Sequence, residues 1–238
     1  MTVNEGIQPV DGERIRVITL EEDILQKNDE IAAENRALLK DRGIVAVNLI
    51  SSPGSGKTTL LEKTLSDIKG ELRCAVIEGD QQTSNDAARI AAVKVPVVQI
   101  NTLSSCHLEA AQIRSAMKNL PMEDIDLLII ENIGNLVCPS GFDLGENGKV
   151  AIMSITEGED KPIKYPLLFH LASVIVLTKL DLLPYLRFDL ERCKEYIRQV
   201  NPHAQIIETS VYNNNGLDIW EDYLRDLVKQ EISNAENT

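Results

Sequence analysis

Val47-Asn-Leu-Ile-Ser-Ser-Pro-Gly-Ser-Gly-Lys-Thr-Thr59 decides the fold of this chain. A run of apolar residues over 44–50 reads as a buried strand and leads into a loop of small residues. The loop ends in Gly56-Lys57-Thr58, and helical spacing follows. Such a strand–loop–helix cradles phosphate: backbone N–H groups at the helix start surround the anion. The lysine reaches the β- and γ-phosphate oxygens, and the threonine hydroxyl meets Mg²⁺. Gly54, Ser55, Gly56, Lys57, Thr58 and Thr59 are therefore the candidate phosphate-binding residues, with Lys57 also a candidate catalytic group. The usual pattern opens with glycine; here Ser51 stands there, a small change that leaves Gly54 and Gly56 to permit close backbone approach.

The 238 residues suffice for one α/β domain with a sizeable core. Charged residues make up 26% and the apolar set 43%, as in ordinary globular proteins. A net charge of −13 and a pI near 4.7 argue against nucleic acid or an anionic membrane as the main partner. Residues 1–10 lack a basic-then-apolar signal pattern and no apolar run reaches spanning length, so the expected location is the cytoplasm. Cys74, Cys106, Cys138 and Cys193 are too few and too dispersed for a disulfide framework and are expected as thiols.

Residues 1–20 form a polar segment without a usable period. Over 21–43, Ile24, Leu25, Ile31, Ala32, Leu38 and Leu39 recur at near-heptad spacing on a Glu-rich background, which predicts an amphipathic helix stopped by Gly43. The domain proper is expected over 44–230, with a frayed tail at 231–238. Strands are predicted at 44–50, 73–79, 95–101, 125–132, 150–155, 173–178 and 204–209. Helices are predicted at 57–69, 85–93, 108–120, 190–200 and 217–229. Strands apolar almost throughout, as at Leu127-Leu-Ile-Ile130, belong in a parallel sheet covered on both faces. The expected fold class is α/β: a P-loop NTPase with a mostly parallel sheet of about seven strands, flanked by helices and preceded by the amphipathic helix.

Three segments bear on the nucleotide. Thr178-Lys179-Leu180-Asp181 follows a strand where a base-reading loop of Asn-Lys-x-Asp type would sit. The aspartate can accept from guanine N1–H and N2–H₂, whereas adenine would leave its charge unpaired, a mismatch of about 10⁴-fold. Thr178 replaces the usual asparagine and, being shorter, is expected not to bridge neighbouring loops. Glu208-Thr-Ser210-Val211 ends a later strand where backbone groups can face the guanine O6. Glu131-Asn-Ile-Gly134 offers a Mg²⁺-side carboxylate and a glycine to sense the γ-phosphate. Glu78-Gly79-Asp80 closes another strand; Asp80 is placed to ligate Mg²⁺ or orient the attacking water, and Asp86 to cap the next helix. No arginine finger is evident after the phosphate loop, so hydrolysis is expected to be slow.

Cys106-His107 precedes a predicted helix and Cys138-Pro139 follows the Glu131 strand. Thiolate and imidazole suit Zn²⁺ or Ni²⁺, but free cysteines also serve as small buried hydrophobes, and spacing leaves both open. Three ligands per chain would also leave a shortfall that a symmetric dimer could make good.

Together these residues resemble a known family. Ser51–Thr59, Glu78-Gly-Asp80, Asp86-Ala-Ala-Arg-Ile90, Cys106-His-Leu-Glu109, Glu131-Asn-Ile-Gly-Asn-Leu-Val-Cys-Pro139, Gly158-Glu-Asp-Lys-Pro162 and Thr178-Lys-Leu-Asp-Leu-Leu-Pro184 are similar to the hydrogenase nickel-incorporation GTPases, the HypB family. The likeness runs over about 44–227. It implies a GTP-hydrolysing metallochaperone that helps insert nickel into [NiFe]-hydrogenase and forms a nucleotide-dependent homodimer. Its implied partners are other maturation factors and the hydrogenase large-subunit precursor. It also implies a Ni²⁺ or Zn²⁺ site at the dimer interface from Cys106, His107 and Cys138. Some members carry an N-terminal histidine-rich tract or cysteine motif; this chain shows neither, so nickel storage is not expected. The urease-maturation GTPases are the nearest alternative, but carry Cys-Pro-His where this chain has Cys138-Pro139-Ser140. An ATP-dependent P-loop kinase would need an arginine-bearing lid, which the sequence does not display. A scaffold protein would release no phosphate from GTP. The N-terminal helix is equally suited to a partner or to packing on its own domain.

Overall fold

In the computed structural model, residues 8–10, 13–15, 20–80, 85–102 and 105–236 are described. The chain runs β1 (Gln8–Val10), β2 (Glu13–Ile15), α1 (Leu20–Asp41), β3 (Val45–Ser51), α2 (Lys57–Ile68), β4 (Cys74–Asp80), α3 (Asn85–Ala92) and β5 (Val97–Asn101). It continues with α4 (Ala110–Met117), β6 (Leu127–Glu131), α5 (Cys138–Gly141), β7 (Gly148–Ser154), α6 (Lys161–Lys164), α7 (Pro166–Leu171), β8 (Ala172–Thr178), α8 (Leu190–Val200), β9 (Gln205–Glu208) and α9 (Leu217–Glu236). Strands β3–β9 make one all-parallel sheet in the order β5-β4-β6-β3-β7-β8-β9, and β1 pairs antiparallel with β2.

Every residue of β3 and β6 is buried because helices cover both faces. Val45, Val47 and Leu49 pack with Val76, Leu127 and Ile129 against Leu61 and Leu65 of α2 and Trp220 of α9. On the other face Ala46, Ile77, Leu128 and Ile130 meet Leu39 of α1 and Ile113 and Met117 of α4. Beneath β7 and β8, Ala151, Met153, Ile175 and Leu177 pack on Phe169 of α7 and Ile197 of α8. From β3 the chain turns to one side for β4 and β5, while β7–β9 lie on the other. The crevice beyond the carboxyl end of β3 is thus the switch point where an open parallel sheet binds ligand.

Several boundaries differ from expectation. Helix α4 starts at Ala110, capped by Glu109 through a reciprocal bond with Gln112, two residues after the expected start. Helix α9 continues to Glu236, beyond the expected end at 229 and through most of the segment expected to fray. Strands β1 and β2 fall in the polar segment 1–20, where the sequence offers no usable period. Helices α5, α6 and α7 were not foreseen, since four to six residues hold too little of a 3.6-residue period.

Helix α1 packs on its own domain. Its buried stripe is Asn28, Ala32, Asn35 and Leu39, an i, i+4, i+7, i+11 spacing. Asn35 donates to the carbonyls of Ala110 (2.8 Å) and Leu144 (3.1 Å), and Asn28 accepts from the Ala110 N–H (2.9 Å). Arg36 binds Asp143 through two bonds of 2.6 and 2.7 Å.

Candidate functional site

Gly56 takes a left-handed conformation (φ +93°) that turns the chain into α2, and no side chain among the described residues caps that helix. The first-turn N–H groups are therefore available to an anion. The loop opens onto a cavity of about 530 Å³ whose wall includes Gly54, Ser55, Gly56, Lys57, Thr58, Thr59, Asp80 and Gly134. A Cβ on Gly134 would stand 3.1–3.2 Å from Pro53, so glycine lets the 133–134 turn lie this close to the loop without displacing it.

Lys57 Nζ donates to Glu131 Oε1 (2.9 Å) and to the Asn132 carbonyl (2.7 Å). Thr58 Oγ1 donates to the same Glu131 oxygen at 2.6 Å. Glu131 is 1% exposed and its Oε2 has no hydrogen-bond partner among the described residues; neither has Glu78 Oε2. Glu78 stands beside Glu131 in register across β4 and β6. Burial, then the carboxylates of Glu131 and Asp80, push the Glu78 carboxyl up to about 8. The sequence reading missed Glu78 as a site group; its place one residue before Gly79-Asp80 was the available signal. Two orphaned carboxylate oxygens, the Thr58 hydroxyl and Asp80 form an oxygen-rich donor set that fits Mg²⁺.

That arrangement predicts a pH dependence. A folded-state pKa raised from 4.5 to about 8 gives stability that is complete below pH 4.5 and is lost as pH rises through 8. The metal- and nucleotide-free protein is therefore expected to melt at lower temperature at pH 8 than at pH 5.5. Glu78→Gln is expected to flatten that slope and raise the melting temperature at pH 8. An unchanged slope in the variant would remove Glu78 as its source.

The cavity also brings in a group that the sequence reading passed over. Arg89 of α3 lines it, donating to Thr59 Oγ1 (3.1 Å) and Glu62 (2.7 Å), with Asp86 at 3.5 Å. An arginine thus does stand beside the phosphate loop.

The strand end after β8 is tied to the same loop. Thr178 Oγ1 donates to the Ser55 carbonyl at 2.6 Å, with the Met153 carbonyl at 3.4 Å, so threonine does bridge neighbouring segments, contrary to expectation. The hydroxyl suffices because β8 brings Thr178 within direct reach. Lys179, left-handed at φ +62°, donates from Nζ to the Gly54 carbonyl at 2.6 Å. Asp181 accepts from Ser210 Oγ at 2.5 Å. Both backbone groups of Ser210 pair with Asn215, so Ser210 braces Asp181 through its side chain. Lys179 is in the cavity wall; Asp181, Ser210 and Val211 lie beyond it.

Cys106, His107 and Cys138 converge: their ligand atoms all lie within 4.8 Å of one another. The Cys106 thiol is pushed up, first by its bond with Cys138, and burial holds His107 below its ordinary value, hence neutral and able to ligate. The His107 ring stacks on Phe142 with centroids 3.9 Å apart, and its Nε2 is buried without a hydrogen-bond partner among the described residues. Two thiols and an imidazole form a donor set that fits Ni²⁺ or Zn²⁺. Cys74 and Cys193 are buried elsewhere with thiols pushed up to about 12, as packing groups are.

The parallel sheet and the glycine-turned phosphate cradle at its switch point define a P-loop nucleotide-binding protein. The family model for "CobW/HypB/UreG, nucleotide-binding domain" matches residues 45–208. The chain is 54% identical over 209 residues to hydrogenase maturation factor HypB of Escherichia coli K12, spanning 88% of this chain and 72% of that protein. It is 36% identical over 216 residues to the probable HypB of Methanocaldococcus jannaschii, spanning 91% and 98%. The HypB structure of Archaeoglobus fulgidus superimposes with a TM-score of 0.81 at 39% identity over 86% of this chain and all of that one. HypB of Helicobacter pylori in complex with nickel gives 0.82 at 38% identity over 86% and 96%. The chain belongs to the HypB family of hydrogenase maturation factors. No helix among the described residues is long and apolar enough to cross a membrane.

Proposed function

We propose that this protein hydrolyses GTP to GDP and phosphate and handles nickel as cargo for [NiFe]-hydrogenase assembly, with the metal on Cys106, His107 and Cys138. The observation that carries this reading is the segment 131–138. It begins at Glu131, bonded to Lys57 and Thr58, and ends at Cys138 in the thiol–imidazole cluster. Lys57 leaves Glu131 to contact the β- and γ-phosphate oxygens, and the first-turn N–H groups of α2 receive the remaining charge. Thr58, Asp80 and Glu131 would hold Mg²⁺, which neutralises charge on those oxygens. Asp80 orients the attacking water, and Gly134 senses the γ-phosphate.

GTP closes a two-fold dimer in this reading, and thiols from both chains complete the nickel site. Metal and nucleotide are then linked, each strengthening the other by the same factor. The helper proteins would be other maturation factors, the recipient the hydrogenase large-subunit precursor, and the setting the cytoplasm. A Zn²⁺ ion fits the same ligands. The test is nickel and zinc titration with GDP and with a non-hydrolysable GTP analogue, read for affinity and oligomeric state. Equal affinity and an unchanged monomer in both nucleotide states would overturn the coupled reading.

Guanine selection rests on Asp181, whose carboxylate is held by Ser210 while Val211 supplies the backbone donor to O6. Asp181→Asn is expected to exchange preference from GTP to XTP by about 10²-fold or more, because the amide donates to xanthine O2 where the carboxylate accepted from N2–H₂. Competition against a labelled guanine nucleotide measures it. Wild-type protein that binds ATP as tightly as GTP would refute the assignment.

A further inference from the structure

A buried polar chain runs from the phosphate loop to the metal cluster, and Asn132 is its branch point. Asn132 is 1% exposed. Its backbone carbonyl accepts from Lys57 Nζ at 2.7 Å. Its side-chain Oδ1 accepts from the N–H groups of Leu108 (3.3 Å) and Ile133 (3.0 Å), and its Nδ2 donates to Asn48 Oδ1 (3.2 Å). Asn48 in turn donates to Glu146 Oε1 (3.2 Å), and Glu146 Oε2 accepts from the Leu144 N–H (2.6 Å).

Both arms arrive at one imidazole. Leu108 directly follows His107, so the first arm fixes the ligand's own backbone. Leu144 lies two residues from Phe142, whose ring stacks on His107. The amide meets these demands from one side chain: it accepts two N–H groups and donates to a third residue at once. A carboxylate cannot donate, and an apolar side chain would orphan three buried partners.

We propose that Asn132 is the positioning residue that transmits the state of the nucleotide site to His107, an inference that rests on the metal–nucleotide coupling proposed above. Lys57 is the input. It holds the Asn132 carbonyl at 2.7 Å, and on engaging phosphate oxygens it releases or weakens that bond. The 132–133 peptide then moves with the γ-phosphate side, and its amide carries the displacement into the Cys106–His107 turn and toward Phe142. The test reads the coupling itself.

Nickel affinity is measured by chelator competition, with Mg²⁺ and either GDP or a non-hydrolysable GTP analogue, in wild type, Asn132→Asp and Glu146→Gln. The ratio of the two affinities is the coupling factor, of order 5–150 in typical systems. We expect that factor to fall toward 1 in Asn132→Asp and to fall partway in Glu146→Gln, with wild-type nickel stoichiometry in both. A wild-type factor of 1 would remove the coupling and this inference with it. A coupled wild type with an equally coupled Asn132→Asp would overturn the inference alone. So would nickel affinity lowered by the same factor in both nucleotide states, as a merely structural role would give. If Asn132→Asp fails to fold, Glu146→Gln decides, and full coupling in it overturns the inference.

Discussion

Lys57→Ala is expected to abolish GTP turnover, lowering the rate by about 10³-fold or more. Each charge-assisted bond the ammonium makes to phosphate oxygen contributes roughly 1.5–3 kcal/mol, and charge that develops on the γ-phosphoryl makes such contacts stronger in the transition state. The buried pairing of Lys57 adds a second consequence. Lys57 pairs with Glu131, a carboxylate 1% exposed, and Glu78 lies beside it with a pKa already raised to about 8. Without the ammonium, two buried acids share one pocket uncompensated, so the variant should also be less stable at neutral pH in the absence of Mg²⁺. Lys57→Arg keeps the charge and is expected to restore stability more than turnover, because a planar guanidinium does not reproduce the reach of a compact ammonium. The measurements are phosphate release with Mg²⁺ and GTP, and a thermal melt of each variant. Wild-type turnover by Lys57→Ala would remove the phosphate loop from the mechanism.

Cys106→Ala and Cys138→Ala are each expected to weaken nickel or zinc binding by more than about 100-fold, beyond what loss of an outer-shell partner costs. The geometry supports this because the three ligand atoms lie within 4.8 Å of one another, so removing one leaves two donors and no replacement in the set. Cys74→Ala serves as the control: that thiol is buried in the face of β4 and pushed up to about 12, far from ligating form. Metal titration followed by thiolate-to-metal charge-transfer absorption reads both numbers. Metal affinity indifferent to both substitutions would end the case for the site. A response to Cys74→Ala equal to the others would show the metal to be bound elsewhere.

The sequence by itself determined the class. Gly56-Lys57-Thr58 after an apolar strand admits few uses other than phosphate binding. The long apolar runs in β6 and β8 require a sheet covered on both faces. These features are local: a glycine turn, a strand period and a helix start are written in consecutive residues. The Cys106–His107 and Cys138 ligands were visible as residue types, but spacing alone left them divided between metal and packing.

Only the tertiary structure could bring them together, because the ligands come from the loops after β5 and β6, two strands that β4 separates in the sheet order β5-β4-β6-β3. The same order puts Glu78 beside Glu131 and creates the buried acidic pair. On the other side of β3, the order β3-β7-β8 brings Thr178 within reach of the Ser55 carbonyl, which overturned the expectation that threonine could not bridge. Asn28 and Asn35 escaped notice in α1 because an apolar pattern ignores polar residues that are buried with their bonds satisfied. The Asn48–Asn132 pairing was hidden for the same reason. Sequence patterns register which residues avoid water; the pairing of buried polar groups depends on what faces them across the fold, and only the assembled sheet and its loops set that.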